Sequence, residues 1–181
     1  MGYAVLLYFD EQTEQRVLGL RHALIEQGIP SILDQVGDRP HISLAGFSNN
    51  VDCNILISLV QEFANGVQPF TVQFSAIGIF PSKENVLFMS PTPTLQLLTY
   101  HQEFHRLLAK PKLISSPYYV PENWTPHCSV EMNIPAEQLL KATEICSKVF
   151  TPILGQFQEI TVIAFPPIKP LATWPLGKRT R

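Results

Sequence analysis

Arg39-Pro40-His41-Ile42-Ser43-Leu44 returns later in the chain as Thr125-Pro126-His127-Cys128-Ser129-Val130. Both follow one pattern: any residue, proline, histidine, an apolar residue, serine, an apolar residue. In a strand, residues two apart share a face. His41 and Ser43 therefore project together, with Ile42 and Leu44 turned to a core. His127 and Ser129 project together in the same way, away from Cys128 and Val130. Proline suits the first residue of a strand, where Pro40 and Pro126 stand.

Working outward, the elements around each copy also repeat. Tyr3 to Phe9 (YAVLLYF) is a short apolar strand. A helix over about 11–27 follows, capped by Asp10 and ended by Gly28 and Pro30. The first motif opens a strand over 41–47. Asn49 or Asn50 caps a helix over about 51–65, which Gly66 stops. A long alternating strand covers 70–80. The second round has a strand at 86–89, a helix from Thr94 to about Lys110 and a short strand at 118–120. The motif strand 127–132 follows, then a helix opened by Pro135 and running to about Val149. Closing strands lie near 160–165 and 171–174. Leaving aside the short strand at 118–120, the chain reads β-α-β-α-β twice, with one strand added. The strand at Tyr3 precedes His41 by 38 residues, and the strand at Val86 precedes His127 by 41.

The 181 residues suit one domain with two halves sharing a core. Composition is that of a globular protein, with 45% hydrophobic and 15% charged residues. No apolar run is long enough to span a bilayer. The start, MGYAVLLYFDE, reads as a strand and not a leader, since it lacks a basic flank and a cleavage site. A net charge of −2 argues against binding extended nucleic acid through its phosphates. The basic Lys178-Arg179-Thr180-Arg181 reads as a solvated tail. Cys53, Cys128 and Cys146 match no zinc spacing and fit free thiols in a reducing cytoplasm.

Two histidines can divide acid-base work. A neutral imidazole takes a proton while an imidazolium gives one. Two hydroxyls can donate to non-bridging phosphate oxygens. This chemistry requires no metal or other cofactor. Cys128 is no nucleophile for His127, because adjacent strand residues face opposite ways. His101 and His105 share a helix face, but Gln102 stands where the metalloprotease motif has glutamate. They read as partly exposed helix residues, and His22 as a surface residue. Phe80 and Phe88 read as core. Tyr119 and Trp124 precede the second motif and are candidates to stack on a base. Arg39 is a candidate phosphate contact, and Lys83 stands in a turn that nothing ties to the groove.

With these residues in hand, the chain resembles the 2H phosphoesterase superfamily, in the group of 2′-5′ RNA ligase-like and cyclic phosphodiesterase proteins. The resemblance rests on His41-Ile42-Ser43-Leu44 and His127-Cys128-Ser129-Val130 and covers nearly the whole chain. Serine stands where many members carry threonine, and Trp174-Pro175-Leu176 is similar to the family's closing strand. The resemblance implies an α+β, bilobal, pseudo-two-fold fold. Two antiparallel sheets would face a central groove, with helices outside and lobes near 1–80 and 85–165. It implies catalysis by His41 and His127, phosphate binding by Ser43 and Ser129, and a nucleotide or RNA terminus as substrate. By family analogy, His127 activates water and His41 protonates the departing oxygen. A monomeric cytoplasmic enzyme is expected. The alternatives are a non-catalytic nucleoside monophosphate or RNA-end binding module and, last, a metal hydrolase using His101 and His105.

Overall fold

The structure is a computed structural model and describes residues 2–177. The basic tail 178–181 lies outside the described residues. Seven strands are found: β1 (Gly2–Phe9), β2 (His41–Phe47), β3 (Phe70–Phe80), β4 (Val86–Pro91), β5 (Cys128–Glu131), β6 (Ile153–Phe165) and β7 (Lys169–Pro175). The helices are α1 (Glu11–Glu26), α2 (Ile32–Gln35), α3 (Cys53–Gly66), α4 (Leu95–Ala109) and α5 (Ala136–Val149).

The antiparallel α+β architecture is present, and its strand order carries the repeat. The order is β2-β1-β6-β3-β4-β5, all antiparallel, with β7 also paired to β6. Each motif strand therefore sits at one end of the path. Each pairs with the first strand of its own half, β2 with β1 and β5 with β4. The halves join where Phe70–Phe74 of β3 pairs with Ile153–Phe157 of β6, so one continuous sheet serves both. The path bends back until its ends meet, bringing β2 and β5 into contact.

The helices cover one face of this sheet. Val5, Leu7 and Phe9 of β1 join Val17, Leu20 and Leu24 of α1 in the main core. The alternate residues Ala4, Leu6 and Tyr8 face the other way and form a small second cluster with Ile163. This explains the unbroken apolar run of β1: the strand is buried on both faces. Among the described residues, no helix is long and apolar enough to cross a membrane.

Some expectations are corrected. Residues 118–120 form no strand; Pro117–Tyr119 is a 3-10 turn, with Pro117 opening it. The helix expected from Val51 starts at Cys53, because Asp52 accepts from the backbone N–H groups of Asn54 and Ile55. The closing strand expected from Ile160 begins at Ile153 instead, since its first residues pair with β3. The short helix α2 was not foreseen. Its first N–H groups are held by the buried Glu131, whose Oε1 accepts from Ile32 and Leu33.

Candidate functional site

The motif strands alternate as strand geometry requires. Ile42 and Leu44, and likewise Cys128 and Val130, are buried in the main core. His41, Ser43, His127 and Ser129 are half-buried on the opposite face, away from the helices. Strand β5 begins at Cys128, so His127 stands just before it. His41 lies opposite Tyr8, and Ser43 opposite Leu6. Ser129 lies opposite Phe88.

The two imidazoles are held identically. His41 Nδ1 is 2.8 Å from the Arg39 carbonyl oxygen, and His127 Nδ1 is 2.7 Å from that of Thr125. A carbonyl only accepts, so each Nδ1 carries a proton and each neutral ring presents a free lone pair at Nε2. The shared proline has a role here. It keeps the preceding residue extended, and that residue's carbonyl meets the imidazole two positions on.

The surroundings of the two rings differ. Asp38 Oδ1 is 3.5 Å from His41 Nδ1. His127 instead meets aromatic carbon. Phe80 and Phe88 stack with centroids 4.2 Å apart, and both present to His127 edge to face, at 4.8 and 5.5 Å. Burial pushes the His127 pKa below its usual value. The Thr125 carbonyl opposes this shift, and nearby His41 adds to it. Phe80 is half-buried at the site, although the sequence suggested core. Phe88 is buried, but one ring edge belongs to the site.

The other candidates are placed as follows. Arg39 lies with its guanidinium 4.1 Å above the Tyr8 ring and is bound to Glu14 and Glu159. Burial pushes the Tyr8 hydroxyl up to about 12 despite this neighbouring charge. Tyr119 packs against Gly46 of the same strand as Ser43. Trp124 donates from Nε1 to the Ser43 carbonyl, 3.0 Å away, and stacks on His101 at 3.7 Å. His101 is thus buried, not partly exposed. Its Nε2 and that of His105 both donate to the Leu44 carbonyl. His22 is exposed, as expected, and so is Lys83. Among the described residues, no group of three or more His, Cys, Asp or Glu side chains is arranged to share a metal ion.

Sequence reasoning missed Asp38, Arg21 and the part played by Phe80. A buried arginine in α1, facing a loop aspartate three residues before His41, would have been a signal for the first two.

Solved structures share this architecture. TT0787 of Thermus thermophilus matches with a TM-score of 0.66 at 14% identity, over 99% of this chain and 100% of its own. E. coli LigT, solved in complex with 3′-AMP, matches with a TM-score of 0.60 at 14% identity, over 97% of each chain. Usb1 of Kluyveromyces marxianus matches with a TM-score of 0.51 at 9% identity, over 98% and 97%. At these identities the likeness establishes the fold, that of the 2H phosphoesterases. The model of the 2′-5′ RNA ligase superfamily matches residues 14–165, and the chain belongs to that family. Among curated proteins, none matches by sequence.

Proposed function

We propose that the protein is a metal-independent phosphoesterase that opens 2′,3′-cyclic phosphates or 2′-5′ phosphodiesters on nucleotides or RNA ends. The observation that carries this reading is the matched fixing of both Nδ1 atoms, which leaves two Nε2 atoms for proton transfer. The half built on β2 and β1 and the half built on β4 and β5 face each other across the groove, in place of a simple division into lobes 1–80 and 85–165. His127, whose charged form is discouraged by burial, takes a proton from water through Nε2. The resulting hydroxide bonds to phosphorus as the phosphorus–oxygen bond to the departing ribose oxygen breaks. His41 acts as the acid: its imidazolium form gives the Nε2 proton to that oxygen. Ser43 and Ser129 donate to the non-bridging oxygens, where charge builds. Trp124 bonds the Ser43 carbonyl and Tyr119 packs on Gly46, so both brace the Ser43 strand. The 3′-AMP in the LigT structure is consistent with a nucleotide in the groove.

Purified protein offered cyclic mononucleotides, ADP-ribose cyclic phosphate and 2′-5′-linked dinucleotides should turn over at least one class, with EDTA present. His41→Ala and His127→Ala should each reduce kcat roughly 10²- to 10⁴-fold. Full activity in either variant would refute the two-histidine mechanism. Nucleotide binding by calorimetry with no turnover of any substrate would favour a binding module instead.

A further inference from the structure

Arg21 of α1 is fully buried, and the chemistry proposed for the groove does not use it. Its Nη1 donates to the Asp38 carbonyl at 2.7 Å, and its Nη2 donates to Asp38 Oδ2 at 2.9 Å. Nη1 also reaches Asp34 Oδ1 at 3.4 Å, and Nη2 reaches the Ser129 carbonyl at 3.3 Å. One planar fork thus grips two parts of the molecule that are far apart in sequence. One is the carboxylate that stands 3.5 Å from His41 Nδ1. The other is the main chain of Ser129, two residues beyond His127.

The location matters because β2 and β5 are the two ends of the sheet path. No ladder joins them, so the spacing of the two motifs depends on cross-ties at this gap. A guanidinium is a costly way to fill space. Burying a charge is costly before its pairing is counted, and apolar replacements of buried ion pairs are often as stable. A rigid fork with donors in fixed directions does what an apolar side chain cannot: it sets distance and orientation.

We propose that Arg21 is a positioning residue that couples the half-sites, holding Asp38 against His41 while fixing the main chain at Ser129. The inference rests on the two-histidine reading for its catalytic consequence, but its structural part is testable without turnover. The experiment compares the wild type with Asp38→Asn, Arg21→Lys and Arg21→Met. Each is followed by long-range proton–nitrogen spectra of the histidine rings and by separate kcat and KM values. In the wild type, at a pH where both rings are neutral, His41 and His127 should each show a single Nδ1–H tautomer. In Asp38→Asn the His41 Nδ1 and Hδ1 resonances should move while those of His127 stay unchanged, and in Arg21→Met the His41 resonances should do the same.

The kcat of Arg21→Met should fall roughly 10- to 100-fold with KM within about threefold, as expected for reacting groups displaced by a fraction of an ångström to an ångström. Arg21→Lys, which keeps a charge beside Asp38, should recover part of that loss. Should Arg21→Met fail to fold, Asp38→Asn carries the test, because it keeps the shape of the loop and the carbonyl acceptors of Arg21. An unchanged His41 ring in folded Asp38→Asn overturns the proposal. So does a kcat loss that only follows the loss of folded protein. A wild type without turnover refutes the function proposed above, and the ring spectra still decide the positioning role.

Discussion

An imidazole serves as a base when its lone pair is held ready and its charge is discouraged. His127 meets both conditions, through the Thr125 carbonyl and the Phe80–Phe88 pair. The sign of the pH dependence follows. The base must be neutral, and burial lowers its pKa below 6.5, so the acidic limb of kcat/KM should lie below pH 6.5. Phe80→Ala opens the ring to water and should move that limb upward, toward the ordinary histidine range. A pH–rate profile of the variant checks this; a limb that stays in place would remove Phe80 from the tuning of His127. At this scale the four motif residues were legible because alternation is a local rule, written twice. Asp38, Arg21 and Phe80 were not, because their proximity to the histidines arises only when the ends of the sheet meet. Arg39 and Trp124 show the reverse case. Each stood close to a motif in sequence, and each is occupied with neighbouring side chains or backbone.

Elements were legible where capping and periodicity agreed. Asp10 accepts from the Thr13 N–H and opens α1, and Thr94 does the same for α4 at Leu97. The failures were elements held by distant partners. Four residues carry too little periodicity to announce α2, whose start depends on Glu131 of β5. The face of α4 that carries His101 also escaped, since its burial depends on Trp124 from a later loop. That burial has a measurable consequence. Desolvation pulls the His101 pKa down to about 4, with nearby His105 adding to the shift and carbonyl contacts opposing it. The unfolded chain titrates near the ordinary 6.5 and so binds more protons between these values. Stability contributed here is full above pH 6.5 and falls as pH drops toward 4. The loss is on the order of 3 kcal/mol. Urea titrations at pH 7 and pH 4.5 should show the loss in the wild type and a smaller one in His101→Gln, which keeps an amide donor for the Leu44 carbonyl. An equal loss in both would place the acid sensitivity elsewhere, with His105 and His127 the next groups to substitute.

At the scale of the molecule, the two halves are joined through β6. Along Phe157–Phe165 it pairs with β1, and along Ile153–Phe157 with β3, so one strand belongs to both halves. The doubled β-α-β-α-β order was legible in the sequence. The shared strand was not, because its exposed first part, with Leu154 and Gln156 outward, shows little of the apolar signal that marks a core strand. Gly155 sits in that joining part, where α1 crosses close above it. A Cβ there would lie 1.8 Å from Thr13 Oγ1 and 2.9 Å from Thr13 Cβ, so helix or strand would have to move. Thr13 is itself buried and bound to the Asp10 cap, which in turn accepts from the Gln156 N–H. Neither partner is free to yield. Gly155→Ala should therefore cost about 3 kcal/mol or more, at the upper end of overpacking effects. Because α1 carries Arg21, the same change should lower kcat in whatever fraction remains folded. Thr13→Ala removes the nearest atoms, so the double variant should be less destabilised than the sum of the two single changes. A double-mutant cycle in urea should give a coupling energy of about 1 kcal/mol or more, as for directly contacting residues. Additive costs would mean that the strand, not the helix, absorbs the added methyl group, and that the halves can shift at β6 without disturbing α1.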